Sequence, residues 1–220
     1  GVTGVQTCAL PICFDILGRQ VAQRLTEDQK INVVVENRPG AGTITGTEHV
    51  ARSAPDGYTL MLGGVSNIAL NPALFRKLPY DAKKDFVPVG FLATYPTVFL
   101  VAASLPVNTL REFIDLVRDN PGKYNFASTG NGTGTHMAFA EFNARLGLNM
   151  VHVPYKGGPE AMTSVLKGET CCIMNQVQTV LSQYKAGKVR LLGVTTAKRV
   201  TAIPDVAAIG DSGLPNTKGF

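Results

Sequence analysis

The chain has 220 residues, 45% of them hydrophobic, enough to bury one or two cores. A formal charge of +5 is scattered, with only Arg76-Lys77, Lys83-Lys84 and Lys198-Arg199 adjacent, and there is no Trp; this speaks against a nucleic-acid partner and suits a small anionic ligand. No apolar run reaches transmembrane length, and neither the cysteines (Cys8, Cys13, Cys171, Cys172) nor the histidines (His49, His136, His152) have metal-ligand, disulfide-framework or H-x-x-x-H spacing, so no metal or cofactor is expected.

Residues 2–12 lack helix or strand periodicity and resemble the conceptual translation of a sequencing-library adaptor. Residues 1–13 are therefore set apart as non-native. The first lobe, residues 14–101, is expected to lack its first parallel strand, leaving residues 102–220 as the half able to fold cooperatively. From Phe14 onward the pattern is regular. Asp15 reads as an N-cap, and Leu17, Val21 and Leu25 line one face of a helix. Residues 31–35 form a β-branched strand. Thr45-Gly-Thr-Glu48 is a capping box for a helix to about residue 53. A buried strand at 58–62 leads into the polar loop 63–67, which carries Ser66. A short helix at 72–76 and an extended segment at 87–103, broken by Pro96, complete this half.

Strand–loop–helix alternation then restarts. Thr109-Leu-Arg-Glu112 is a second capping box, and Leu110, Phe113, Ile114 and Val117 form an i, i+3, i+4, i+7 stripe. A strand from residue 124 runs into the loop Ser128-Thr-Gly-Asn-Gly-Thr-Gly-Thr-His136. The helix after it carries Phe139, Phe142 and Leu146 on one face and ends at Gly147. Further strands are expected at 150–153, 171–174 and 189–195, with helices marked by Ala161, Met162, Val165 and Leu166 and by Val177, Val180, Leu181 and Tyr184. Adjacent Cys171 and Cys172 on a strand should point to opposite faces. The alternation implies parallel sheets with ligands at the carboxyl ends of the strands.

The loop at 128–136 is the main candidate site. Gly130, Gly132 and Gly134 permit close backbone approach, Ser128, Thr129, Thr133 and Thr135 supply hydroxyls, and a helix start attracts anions. A glycine-rich connection with a Ser/Thr cap is the alternative reading. Residues 40–46 have glycines at 40, 42 and 46 in a pattern like a dinucleotide fingerprint, which gives a nucleotide-dependent oxidoreductase as a competing function. Against it, residues 36–39 separate strand from glycines, and no acidic residue closes the next strand. Asp15 reads as a cap, Tyr155 as packing or ligand contact, and Asn175 as a polar strand-end residue that needs partners if buried.

Several segments, taken together, resemble the Bug family, the extracytoplasmic solute receptors of tripartite tricarboxylate transporters. They are Val33-Val-Val-Glu-Asn-Arg-Pro-Gly-Ala-Gly42, Gly46-Thr-Glu-His-Val-Ala51, Ala54-Pro-Asp-Gly-Tyr-Thr-Leu60, Asn71-Pro-Ala-Leu74, the 130–136 loop, Val153-Pro-Tyr-Lys-Gly157, Val194-Thr-Thr-Ala-Lys-Arg199 and Ser212-Gly-Leu-Pro215. The resemblance runs in order over residues 14–215. It implies a type II periplasmic-binding-protein fold of two α/β lobes with the ligand in the cleft, and binding without catalysis. It also implies a small carboxylate ligand, permease subunits as membrane partners, a periplasmic location and a monomer. Ligand contacts are expected from Asp15, Ser66, Ser128, Thr129, Gly130, Gly132, Thr133, Gly134, Thr135, His136, Tyr155 and Asn175. The family's glycines before Asp15 are replaced here, and its return to the first lobe after residue 215 is absent, so the chain reads as truncated at both ends. A stand-alone carboxylate sensor is the other function this resemblance allows.

Overall fold

The computed structural model describes residues 2–7, 13–213 and 217. Its contacts form two compact units: Gly1–Phe91 with Gly130–Gly134, and Leu92–Thr129 with Thr135–Phe220.

In the first unit, β1 (Val2–Thr7) is the middle strand of a three-stranded sheet, between β2 (Asn32–Asn37) and β3 (Thr59–Leu62). All pairings are parallel, from Val2↔Asn32 to Thr7↔Asn37 on one edge and from Gly4↔Thr59 to Thr7↔Leu62 on the other. The expected gap in this sheet is thus corrected. A middle strand is held by backbone pairing along both edges, with Val5 buried, and needs no alternating side-chain pattern. Helix α1 (Cys13–Gln29) starts before Asp15, which lies in its first turn and not at its cap. Helix α2 (Ile44–Ala51) does not use the anticipated capping box either. Its N-cap is Thr43, held at φ 81° with no side-chain cap bond, and the Thr47 hydroxyl donates back to the Thr43 carbonyl at 2.8 Å. After β3 comes one π-type turn, Ser66–Leu70, continuing into the short α3 (Asn71–Leu74).

The second unit runs β4 (Thr97–Ala102), α4 (Leu110–Arg118), β5 (Asn125–Ser128), α5 (Gly134–Arg145), β6 (Val151–Pro154), α6 (Gly158–Leu166), β7 (Cys172–Gln176), α7 (Val177–Lys185) and β8 (Val189–Val194). The sheet order is β6-β5-β7-β4-β8. Strand β5 is parallel to β6 and β7, as the helix-connected units require. Strand β4 lies antiparallel to both β7 and β8, so the sheet is mixed and not all-parallel. Because β4 sits inside this sheet, the chain passes from one unit to the other at residues 91 and 92, not at 101 and 102.

Both faces of the sheet are covered. Phe99 and Val101 of β4 join Phe113, Phe126, Phe139 and Phe142 on one face, while Val98 and Leu100 join Ala161, Val165, Ile173, Val177 and Val180 on the other. This is the period-two alternation of a strand buried on both sides. Cys171 and Cys172 depart from it. Cys171 precedes β7, and both cysteines pack against the first cluster with their sulfurs 3.4 Å apart.

The second capping box is present as the sequence spells it. The Thr109 hydroxyl accepts from the Glu112 N–H at 3.2 Å, and the Glu112 carboxylate accepts from the Asn108 N–H at 2.7 Å. Thr109→Ala leaves the Glu112 amide without its cap and is expected to cost about 1 kcal/mol, read as a lowered midpoint in urea with an unchanged slope. An unchanged midpoint would show the cap to be energetically silent.

Candidate functional site

The residues of the loop between β5 and α5 divide between the two units. Its outer residues belong to the second unit. The Thr135 hydroxyl lies 2.8 Å from that of Thr129 and accepts from the Thr129 N–H at 3.1 Å. Ser128 is fully buried, and its Oγ lies 2.6 Å from His152 Nε2. The His152 ring stacks on that of His136, with centroids 3.9 Å apart and planes 12° from parallel, and on Phe126 at 4.9 Å. The two histidines, sixteen positions apart by number, are thus neighbours in space although nothing in their spacing announces it. Burial, with the adjoining His136 ring adding to it, pushes His152 down to about 4, and burial lowers His136 as well. Both rings are therefore neutral at neutral pH.

The inner residues, 130–134, belong to the first unit. The Gly134 N–H donates to Ser66 Oγ at 3.2 Å, and the Thr133 hydroxyl donates to the Gly130 carbonyl at 2.7 Å. Gly132 has φ 74°, and a Cβ there would stand 3.5 Å from Leu74 and Phe75 and 3.7 Å from Asn71 Oδ1. Beneath the loop lies a buried polar network. Asn71 Nδ2 donates to the Gly42 carbonyl at 3.1 Å, to Thr43 Oγ1 at 3.3 Å and to Tyr80 Oη at 3.3 Å. The Tyr80 hydroxyl donates to the Asn67 carbonyl at 2.8 Å, and Asn67 accepts the Gly64 N–H at 2.7 Å.

Residues 40–43 hold this network together at some local cost, since Ala41 (φ 44°) and Thr43 (φ 81°) join Gly40 and Gly42 at positive φ. Such a run of left-handed residues persists only where the surroundings dictate it. A dinucleotide would need the open face of Gly42 for its pyrophosphate. That face instead meets the Asn131 carbonyl, 2.7 Å from where a Cβ would lie.

The candidate residues therefore fall into two sets. Ser66, Gly130, Gly132, Thr133 and Gly134 belong to the first unit, as does Asp15, which is engaged by Arg19 at 2.9 Å and Asn37 at 2.7 Å. The hydrogen bonds from Arg19 and Asn37 hold its carboxyl below the usual carboxylate range. In the second unit Ser128, Thr129, Thr135 and His136 meet at the carboxyl end of β5. Tyr155 packs partly buried against the core cluster of α6 and α7, and its N–H donates to the Ser128 carbonyl at 3.0 Å. Asn175 is buried at the end of β7, its Oδ1 accepting the Gln176 N–H at 2.8 Å. Residue-by-residue reading missed His152, Asn67, Asn71 and Tyr80. The four-residue spacing of Asn67 and Asn71 among apolar neighbours was a usable sign of a shared buried face.

Solved proteins of similar structure match nearly the whole of this chain. A Rhodopseudomonas palustris protein solved with adipate is 28% identical at a TM-score of 0.90, the match covering 97% of this chain and 72% of that one. MatC from Rhodopseudomonas palustris, solved with malate, is 26% identical at a TM-score of 0.89, over 99% of this chain and 74% of that one. BugT of Bordetella pertussis is 32% identical over 202 residues, covering 91% of this chain. The fold is that of the periplasmic binding proteins, such as BugD, which is 29% identical at a TM-score of 0.89 over 99% of this chain and 73% of that one. Residues 17–219 match the family described as tripartite tricarboxylate transporter family receptor (TctC), and the chain belongs to that family. It spans about three fifths of the length of the curated relatives it matches, 62% in the case of BugT.

Proposed function

We propose that this chain is the ligand-binding part of a periplasmic receptor that captures a small carboxylate and delivers it, chemically unchanged, to the membrane permease of a tripartite tricarboxylate-type transporter. Membership of the TctC family carries the reading, together with the adipate and malate held by two structural neighbours. The loop at 128–136 supplies the fitting chemistry: three glycines, four hydroxyls and the start of α5. A monomer suffices for this role.

The test is calorimetry and thermal denaturation of the protein against a panel of mono-, di- and tricarboxylates, with NAD and NADP as controls. A carboxylate at a hundred times its Kd should add about 2.7 kcal/mol of apparent stability. Heat and thermal shift with the nucleotides alone would overturn the receptor reading in favour of a nucleotide enzyme.

A further inference from the structure

Asn131, at the turn of the 128–136 loop, is the only asparagine of the chain that is followed by glycine. Asn131 and Gly132 are the central residues of a turn closed by the Thr133 N–H, which donates to the Gly130 carbonyl at 3.4 Å. Gly132 holds φ 74°, a left-handed position that turns of this kind give to glycine. The Asn131 side chain is exposed, and among the described residues its amide has no hydrogen-bond partner. Asn67 and Asn71 differ in both respects. They are buried, and their amide nitrogens donate to Thr47 Oγ1 at 3.2 Å and to the Gly42 carbonyl at 3.1 Å.

We propose that Asn131 is a site of spontaneous deamidation, and that the acid formed there switches off carboxylate capture by the loop. The second half rests on the receptor reading above. Asparagine is among the thermolabile side chains, and glycine after it puts no side chain in the way of ring closure. The Gly132 nitrogen attacks Asn131 Cγ, and the new C–N bond closes a cyclic imide. The Cγ–Nδ2 bond breaks, and Nδ2 leaves as ammonia with the proton of the Gly132 amide. Water then opens the ring and leaves a carboxylate where the amide stood. If the ring opens on its side-chain carbonyl, the product is aspartate. If it opens on the main-chain carbonyl, the product is isoaspartate, which also adds a carbon to the backbone. That extra carbon falls where the Asn131 carbonyl packs on Gly42, 2.7 Å from the position of a Cβ. Either product places a negative charge on the loop read as the anion site, where it repels a carboxylate ligand.

Ageing the intact protein in mildly alkaline buffer, then mapping its peptides by mass, tests the first half. Conversion of amide to acid should concentrate at Asn131, and Asn131→Gln should leave that position unconverted. Calorimetry with malate and adipate tests the second half. Asn131→Asp, made directly, should bind about tenfold or more weakly than wild type, with part of the loss recovered in high salt. Aged wild-type protein should lose affinity in step with its conversion, while aged Asn131→Gln keeps the affinity it had before ageing. Conversion no faster at Asn131 than at the other asparagines would overturn the proposal. Wild-type affinity in Asn131→Asp, or an equal decline on ageing in Asn131→Gln, would overturn it as well. Should Asn131→Asp fail to fold, the converted fraction of aged protein, separated by anion exchange, takes its place in the titration. If fresh wild-type protein binds no carboxylate, the receptor reading fails and the switch with it, whereas the peptide map still decides the deamidation.

Discussion

Phe99→Ala is expected to destabilise the second unit by about 3–5 kcal/mol, lowering its melting temperature by roughly 6–20 °C. Phe99 is fully buried in β4, and its ring meets Phe113 at 4.9 Å, Phe142 at 5.3 Å and Phe139 at 5.4 Å. These partners come from α4 and α5, so one ring joins a strand to both helices covering that face. Truncation removes the transfer free energy of the ring and leaves a cavity that three further phenyl groups cannot close without leaving their own contacts. Val87→Ala is the matching control, since Val87 is 86% exposed and its loss should change stability by no more than about 0.5 kcal/mol. If the two substitutions were equally mild in calorimetric melts, the aromatic cluster would not be the core of this unit.

The same cluster shows what could be read from the residues. Phe113, Ile114 and Val117 on α4, and Phe139 and Phe142 on α5, are spaced at three and four, and the structure buries each of them. Periodicity reports burial directly when an element has one covered face and one wet face. It fails where that contrast is missing. The middle strand β1 is paired along both edges, so Val2–Thr7 carries no alternation, and its place depends on partners thirty and more residues away. The reversal of β4 was hidden for a related reason, because the side-chain pattern of a strand buried on both faces is the same in either direction. Residue types at 128–136 pointed to a loop of glycines and hydroxyls. They could not show that residues 132 and 134 meet Asn71 and Ser66, or that Ser128 and His136 meet His152, since those contacts span 16 to 68 positions.

Gly42→Ala should cut carboxylate affinity by at least about tenfold, roughly 1.4 kcal/mol, while the helical circular-dichroism signal of the protein is retained. Two effects combine at this position. At φ 62° any side chain meets the left-handed strain of about 1–2 kcal/mol, and Ala41 and Thr43, already at positive φ, leave the neighbouring backbone little room to adjust. The new methyl would also lie 2.7 Å from the Asn131 carbonyl, which has to move, and the 130–134 part of the loop moves with it. Gly57→Ala isolates the first effect. Its φ is 81°, yet nothing lies within 4 Å of the added carbon, so it should lose stability by strain alone and bind carboxylate normally. Titrating malate and adipate into both variants reads the difference. Equal affinities would mean that the Gly42–Asn131 approach has no part in shaping the site, whereas a loss confined to Gly42→Ala would tie the strained turn at 40–43 to ligand capture through the backbone it supports.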